Sequence, residues 1–179
     1  TEEINRFFED WKDRKLQEYE ADTDSTRQNA LEVYRESRDI GWPGPWSEEY
    51  QVSKVKAYQG YVSILIDSYL YEGGAHGMPY RETYMFRLED GVWADLEQMS
   101  GRLGSDWEAD LKMRFLERIG QAQEADFYKD ASEILEEKKL DDFGYYFDDD
   151  GIVFYLPPYE IAPYSTGYVE VTIPWEEAF

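Results

Sequence analysis

The order of the hydrophobic patterns along the chain restricts its fold more than any other feature. A helical pattern covers residues 1 to about 39, and a β pattern covers residues 50–88. A second helical pattern runs from about 105 to 135, and β patterns return between 143 and 173. Because helices and strands fall in separate blocks, the sequence predicts an α+β fold. We expect a mostly antiparallel sheet packed with N-terminal and central helices, in two small lobes.

The N-terminal helical pattern has one apolar face. Its first members recur at the three- and four-residue spacing of a buried helix face: Ile4, Phe7, Phe8 and Trp11. Leu31 and Tyr34 are expected to resume that face further along the helix. The polar residues 21–26 can divide the segment into two helices, with a cap residue inside the polar stretch. The run 41–46 contains two Gly, two Pro and two Trp, and it ends the helical region.

The β patterns are typical of strands with one buried face. Apolar residues occupy alternate positions between 61 and 70, and a glycine-rich connection at 71–77 separates this strand from the next one. We place the boundary between the lobes at this connection. The N-terminal helix-plus-strand half is then 1–72, and the C-terminal α+β half is 73–179.

The charge of the chain limits the partners that it can attract. Forty Asp and Glu residues face eighteen Lys and Arg residues, which gives a formal net charge of -22. Such a surface repels nucleic-acid phosphates and anionic lipid, and it speeds the encounter with a cationic partner at low salt. The alternative is that the acidity only keeps the protein in solution.

The absence of cysteine removes disulfides, thiolate catalysis and cysteine-ligated metals from consideration. The chain is rich in aromatic residues, with 16 Tyr, 9 Phe and 6 Trp, which can supply a stable core without covalent links. No apolar run approaches the ~20 residues that span a bilayer, so we expect no membrane insertion by this segment. Any signal or anchor would lie upstream of Thr1.

His76 is the single histidine of the sequence. A catalytic triad or a histidine-rich zinc site needs more partners than one histidine provides. His76 is therefore either a lone acid–base group or, as we favour, a ring that pins a tight connection by hydrogen bonding. Its neighbours Gly73 and Gly74 allow positive φ angles or the close approach of another segment. They do not match the phosphate-binding glycine pattern, so a nucleotide site is not expected.

Two acidic patterns are candidates for sites of chemistry. The run Asp148-Asp149-Asp150-Gly151 does not fit an EF-hand loop, because Tyr146 and Pro157 would occupy its first and last ligand positions. A β-turn explains this run better. A hydrolase with an acidic pair needs two carboxylates across a cleft, which the sequence does not identify. We expect no catalytic residue, no metal and no cofactor.

Two groups of segments, taken together, resemble a known module. The first group is 71–77 followed by 84–91, and the second is 150–155, 158–164 and 169–174, with Gly167 between the last two. In order and spacing they resemble a paired domain of unknown function. That module forms the ectodomain of lysozyme-sensing anti-sigma factors of the RsiV type and precedes the catalytic domain of PdaC-type peptidoglycan deacetylases. The resemblance covers nearly the whole chain.

The resemblance implies a function and a location. Members of this group are extracytoplasmic, secreted or anchored at the bacterial cell surface, and the module has no established catalytic activity. In the anti-sigma factors it is a receptor for lysozyme, a strongly basic protein. We therefore expect a non-catalytic sensor or binding domain of the cell envelope with a basic protein such as lysozyme as partner. The 179 residues contain no sigma-binding segment and no membrane helix, so the resemblance leaves a role as an anti-sigma factor ectodomain open.

The two loops of the resemblance supply the candidate binding residues. The first loop offers Gly73, Gly74, Ala75, His76 and Gly77; the second offers Pro158, Tyr159, Glu160, Pro163 and Tyr164. Tyrosines are common interface anchors, and proline lowers the entropy cost of holding a loop ready. The alternative is that Tyr159 and Tyr164 pack a corner that positions the last strand.

Two other functions stay open from the sequence. A cell-wall carbohydrate-binding domain would bind peptidoglycan through exposed aromatic residues such as Trp42 and Trp46. A hydrolase would use an acidic pair that the sequence alone does not locate.

Overall fold

A computed structural model describes residues 1–37, 46–102, 104–123 and 126–179 of the chain. In chain order, the elements are α1 (Glu2–Ser37), β1 (Ser47–Tyr58), β2 (Tyr61–Tyr71), β3 (Met78–Arg87), α2 (Leu96–Ser100), α3 (Gly104–Gln121), α4 (Ala131–Glu137), β4 (Gly144–Phe147), β5 (Gly151–Leu156), β6 (Val169–Pro174) and α5 (Trp175–Ala178). Short 3-10 turns lie at Leu140–Asp142 and Tyr164–Thr166.

The strands form two three-stranded antiparallel sheets, with the orders β1-β2-β3 and β4-β5-β6. All neighbouring strands are consecutive in the chain and antiparallel. The predicted α+β fold with antiparallel strands is therefore confirmed. The strand β3 lies after the predicted lobe boundary at residue 72 but belongs to the same sheet as β1 and β2, and the division into halves stays a prediction.

The strand β2 is buried on both faces over residues 62–66, so the predicted single buried face is wrong for this strand. One face of the first sheet packs against the start of α1, through Ile4, Val62, Ile64, Ile66 and Phe86. The opposite face packs against the second sheet through Leu65, Tyr146, Val153 and Tyr155. The largest cluster, which includes Trp107, Leu111, Phe115, Leu135, Phe147, Ile152 and Phe154, joins α3 and α4 to the outer face of the second sheet. The order of layers is helix, sheet, sheet, helices.

Polar contacts also join the two sheets. The backbone N–H of Phe147 donates to the hydroxyl of Ser63 at 3.3 Å, and Ser63 is the one buried polar side chain among the described residues. Lys54 Nζ lies 2.6 Å from a carboxylate oxygen of Asp148, so β1 is linked to the β4–β5 turn. Because these contacts join β1 and β2 of the first sheet to β4 and the turn after it, they fix how the sheets are placed against each other.

The structure corrects two predictions for α1. The helix continues through residues 21–26 without the predicted break. Leu31 and Tyr34 do not resume the buried face, because they are 47% and 55% exposed. A helix of this length spans about 54 Å, whereas the strands it crosses span about 35–40 Å. The helix is therefore longer than the sheet, and Leu31 and Tyr34 find no buried position among the described residues.

Two short helices were not predicted from the sequence. The helix α2 begins after Asp95, whose carboxylate accepts the N–H of Gln98 at 2.7 Å, and ends at Gly101 with a φ of 71°. The helix α5 has only four residues. Neither is long enough to show helical periodicity in a sequence. None of the described helices combines the length and apolar character needed to cross a bilayer.

The contact between the sheets should depend strongly on Leu65, which is 3% exposed. We expect Leu65→Ala to lower the free energy of unfolding by about 2–5 kcal/mol, since it leaves a cavity between two packed layers. Urea unfolding followed by far-UV circular dichroism measures this change. The matched control is Val55→Ala, in which a side chain of 60% exposure is shortened, and which should change stability by no more than about 0.5 kcal/mol. Equal effects would contradict the described packing.

Glu82 joins α1 to the first sheet and gives the fold an acid-sensitive contact. Trp11 Nε1 donates to Glu82 at 3.1 Å, Lys15 Nζ lies 2.9 Å from its other oxygen, and the Tyr84 hydroxyl also donates to it. Burial alone would raise the pKa of Glu82, but these hydrogen bonds and the charge of Lys15 outweigh it and lower the pKa below its usual value of 4.5.

A lowered pKa in the folded state means that the stability contributed by ionised Glu82 is complete above the unfolded-state pKa and is lost as the pH falls through the folded-state pKa. We expect Glu82→Gln to destabilise the protein by about 1 kcal/mol near neutral pH. The difference between wild type and variant should shrink toward zero below pH 4. Urea unfolding curves of both proteins at pH 7 and pH 3.5 check this. A difference that does not change with pH would show that the charge of Glu82 has no part in holding α1.

Candidate functional site

The two sheets differ in strand length, and the difference leaves part of the first sheet uncovered. Strands β1, β2 and β3 have 12, 11 and 10 residues, whereas β4, β5 and β6 have 4, 6 and 6. At the end of the first sheet that carries residues 72–77, a groove of about 540 Å³ opens. We call it the overhang groove; its lining includes Glu49, Asp67, Tyr69, Tyr80, Arg81 and Tyr168.

A cluster of rings borders this groove and is formed by both predicted loops. The imidazole of His76 stacks on the ring of Tyr164, with centroids 3.8 Å apart and an interplanar angle of 17°. The hydroxyl of Tyr159 lies 3.4 Å from His76 Nε2, and the rings of Tyr159 and Tyr164 are 5.7 Å apart. Tyr69 completes the set, because its hydroxyl accepts the N–H of Gly77 at 2.7 Å. We call these four residues the tyrosine–histidine cluster.

The hydrogen bonds of His76 involve both ring nitrogens. Nδ1 lies 2.9 Å from the carbonyl oxygen of Gly77, which can only accept, so Nδ1 is the donor. Nε2 is then free to accept from the hydroxyl of Tyr159. Both ring nitrogens therefore face groups of the protein itself. This arrangement agrees with the predicted pinning role of His76, while the outer edge of the residue stays exposed.

The glycines of the first loop have the geometry that the sequence predicts. Gly73 and Gly74 have φ angles of 98° and 89°, in the region that favours glycine. Gly77 is required by close approach: a Cβ there would lie 2.4 Å from the carbonyl oxygen of Leu70 and 2.8 Å from the ring of Tyr69. The loop can therefore fold back on Tyr69 only when position 77 has no side chain.

In the second loop, Tyr159 is exposed to solvent while neighbouring residues are buried. Its neighbours Pro158 and Ile161 are buried, and Glu160 forms an ion pair with Lys138. Tyr159 itself is 48% exposed and has a φ of 71°, which a side chain of this size rarely adopts. Strained backbone of this kind persists where the surrounding structure enforces it, often at binding sites.

The structure thus divides the predicted binding residues into three groups by exposure. His76 and Tyr159 are exposed, as are Gly74 and Ala75, while Gly73, Glu160, Pro163 and Tyr164 are half-buried. Gly77 and Pro158 are buried and form the base of the loops. The two loops meet although more than 80 residues separate His76 from Tyr159. Their role in binding stays a prediction.

Arg81 is a central residue that sequence reasoning missed. Its guanidinium is 3.0 Å from Asp67, forms a second ion pair with Glu170, and lies 4.0 Å from the ring centroid of Tyr168. Burial acts against the charged form, but the hydrogen bond and charge of Glu170 and the charge of Asp67 raise the pKa of Arg81 above its ordinary value. Its partners come from β2 and from the region of β6, so no local spacing in the sequence could have indicated the network.

A second cavity, of about 530 Å³, is lined in part by acidic residues. Three of these residues accept hydrogen bonds from nearby backbone N–H groups. Asp95 accepts the N–H of Gln98, Glu97 accepts that of Gly104, and Glu108 accepts that of Leu140. Over the described ranges, no carboxylate side chain is buried, and no group of three or more His, Asp or Glu side chains is placed to hold a metal ion.

The acidic run 148–151 and the two tryptophans were the other candidates from the sequence, and the run forms a turn. Asp148 and Gly151 form the hairpin between β4 and β5, with the N–H of Asp148 donating to the carbonyl of Gly151 at 2.8 Å. Of the two tryptophans proposed for carbohydrate binding, Trp42 lies outside the described residues. Trp46 is half-buried and lines a groove between α1 and β1.

Comparison with known families accounts for both halves of the chain. A family model described as a protein of unknown function, DUF3298, matches residues 81–176, and one described as deacetylase PdaC matches residues 1–79. The chain belongs to the DUF3298 family. The predicted resemblance to a paired domain of unknown function is confirmed by these two matches, while the specific likeness to RsiV stays a prediction. A search of curated proteins finds no match to this chain.

Two solved DUF3298 structures resemble the chain. One is a DUF3298 family protein from Pseudomonas aeruginosa PAO1, with 26% identity and a TM-score of 0.53; the alignment covers 81% of this chain and 65% of that protein. The other is a DUF3298 family member from Bacteroides fragilis, with 25% identity and a TM-score of 0.52, covering 90% of this chain and 65% of that protein. The chain thus spans about two thirds of the length of either relative.

Gly77 should be essential for the geometry of the tyrosine–histidine cluster. We expect Gly77→Ala to lower the free energy of unfolding by about 1–3 kcal/mol, because the added methyl group overlaps backbone and a ring that cannot move freely. Thermal unfolding measures the change. Gly120→Ala in α3 is the matched control: its Cβ meets no atom within 4 Å, and it should be neutral or stabilise by up to about 1 kcal/mol. A neutral Gly77→Ala would contradict the described contact with Leu70 and Tyr69.

Proposed function

We propose that the chain is a non-catalytic binding domain of the bacterial cell envelope, located outside the cytoplasm, whose partner is a basic protein such as lysozyme. One observation carries the proposal. Two loops far apart in the sequence meet in an exposed cluster of one histidine and three tyrosines, next to an open groove. Families matched by both halves of the chain support an accessory role without assigned chemistry.

The cluster has the physical properties of a protein-binding surface. Tyrosine offers a large contact area with few rotatable bonds, so fixing it on binding costs little entropy. Here the rings are already held: Tyr164 is stacked on His76, and the turn at Tyr159 is closed by a hydrogen bond from its N–H to the carbonyl of Ala162 at 3.0 Å. Preorganised rings bind more tightly because less ordering remains to be done in the complex.

The charge of the chain supports a cationic partner. A net charge of -22 on 179 residues attracts a basic protein over distances comparable to the Debye length and raises the rate of encounter. Charge alone does not select one partner, because any cation would be attracted. The tyrosine–histidine cluster would select the partner, and the acidic surface would raise the rate at which that partner is encountered.

Catalysis by an acidic pair receives no support from the described part of the chain. A carboxylate that acts as a general acid near neutral pH is usually buried in a cleft, and over the described ranges no carboxylate side chain is buried. Asp95, Glu97 and Glu108 of the acidic cavity accept hydrogen bonds from backbone N–H groups and so have a structural role.

The proposal is tested by calorimetric titration with hen lysozyme. We expect saturable binding that weakens but persists at about 0.15 M salt, where surface charges are largely screened. Tyr159→Ala and His76→Ala should each weaken binding about tenfold, equal to about 1.4 kcal/mol. Tyr34→Ala, which removes an exposed ring from the far part of α1, is the matched control and should have no effect.

Three results would count against the proposal. Loss of all binding at 0.15 M salt would leave only unspecific charge attraction, and equal weakening by Tyr34→Ala would exclude the cluster as the contact surface. Cell fractionation of the full-length gene product tests the location, and recovery in the cytoplasm would contradict it.

A further inference from the structure

The strand β1 has one open edge. It pairs with β2 from Ser47 to Tyr58 and stands first in the order β1-β2-β3, so no strand of the described chain lies on its other side. Over the same described ranges, residues 47–57 make no backbone hydrogen bond to a loop or turn. The outward N–H and C=O groups of such an edge can pair with a further strand.

Apolar side chains are exposed along this edge, on the side of the sheet that faces α1. Val52 and Val55 pair with two isoleucines of β2 that pack under α1. The helix leaves both valines uncovered, and they are 57% and 60% exposed. Tyr50 lies on the same side, because its ring packs edge-on against Trp11 of α1. A strand added at this edge would cover the two valines.

The opposite side of β1, which faces the second sheet, carries charges of both signs. Lys56 forms an ion pair with Asp149 in the β4–β5 turn, and its partner on β2 is Ser63. Glu49 pairs with Tyr69, which points to the same face of β2 as Ser63, so Glu49 also lies on this side. Glu49 is exposed and forms no ion pair with any residue that the structure describes. The acid thus lies near the beginning of β1 and the lysine near its end.

The side chains of β1 complement those of a second, antiparallel β1. With a two-fold axis at the register shift in the middle of the strand, Tyr50 lies opposite Val55 of the copy. In the same register, Glu49 lies opposite Lys56. The members of each pair lie on the same side of the sheet, and the symmetry makes each contact occur twice. Aromatic residues opposite β-branched ones, and acids opposite lysines, stabilise paired strands.

From this arrangement we propose that the open edge of β1 binds the same edge of a second copy of this chain. Two three-stranded sheets then become one antiparallel sheet of six strands. The occupant is a copy, because the order of acid, aromatic residue, valine and lysine along β1 complements itself when the direction of the strand is reversed. The inference goes beyond the proposed function and does not depend on it.

Lysines and bulges at an edge often prevent such pairing, but neither does so here. Both lysines of β1 form ion pairs with Asp148 and Asp149 of the β4–β5 turn, so their charges are held by partners on the face of the sheet. The register shift between Val52 and Lys54 lies on the two-fold axis, where the two copies share it symmetrically.

The net charge of the chain determines how this contact responds to salt. Two chains that each carry a charge of -22 repel one another, and added salt screens that repulsion. We therefore expect a weak dimer that becomes tighter as the salt concentration rises. Binding to a basic partner has the opposite salt dependence, so the two associations can be told apart.

Analytical ultracentrifugation over a range of protein concentrations tests the inference with paired charge variants. Glu49→Lys places a lysine opposite Lys56, and Lys56→Glu places an acid opposite Glu49, so each variant alone should dimerise about tenfold more weakly than wild type. A mixture of the two variants has opposite charges at both contacts, and its dimer should return to about the wild-type level. Recovery in the mixture also shows that both variants are folded.

Glu117→Lys is the matched control, because it makes the same change in net charge at an exposed position of α3. It should dimerise at least as well as wild type. Amide shifts of the 15N-labelled wild type should follow protein concentration in β1 and not in α3. Monomer alone at about 0.5 M salt, where charges are screened, would overturn the inference. A dimer that Glu49→Lys does not weaken, or a mixture that shows no recovery, would overturn it as well.

Discussion

The face-to-face packing of two small antiparallel sheets is the contact on which the rest of the molecule depends. Leu65 enters a layer of aromatic residues from the second sheet, and Ser63 supplies the hydrogen bond that a buried backbone N–H requires there. The outer faces of the sheets are covered by helices, α1 on one side and α3 with α4 on the other. Because the inner contact occupies only part of the longer strands, it also determines where the surface stays open.

Much of this architecture can be predicted from the sequence, because it depends on local periodicity. The alternation in β2 and the apolar spacing at the start of α1 place those elements correctly, and the glycine-rich connection ends β2 where expected. Periodicity fails where tertiary contact decides the outcome. Leu31 and Tyr34 fit the spacing of a buried face, but the sheet ends before they can reach it. Helices of four or five residues are too short to produce a periodic hydrophobic pattern in the sequence.

The candidate site shows the same division between local and long-range information. The positive φ angles of Gly73 and Gly74 follow from residue type alone, and both loops were identified as candidates. That His76 stacks on Tyr164 depends on how the two sheets pack, which the sequence does not state. The network around Arg81 was missed for the same reason: its partners lie on separate strands and become neighbours only after the sheets have joined. A single arginine in a strand has no pattern that could indicate such a role.

The unequal strand lengths have a consequence for how this family can diversify. Glu49 of the overhang groove is exposed and has no ion pair within the described part of the chain, so a substitution there carries a small cost in folding free energy, whereas Arg81 joins the two sheets through Glu170 and Tyr168. Residues beneath the second sheet do not have this freedom. The fold thus keeps its packed centre and its open surface on different parts of the same strands. Substitutions at the strand ends and in the two loops can therefore alter the open surface while the packed centre stays intact.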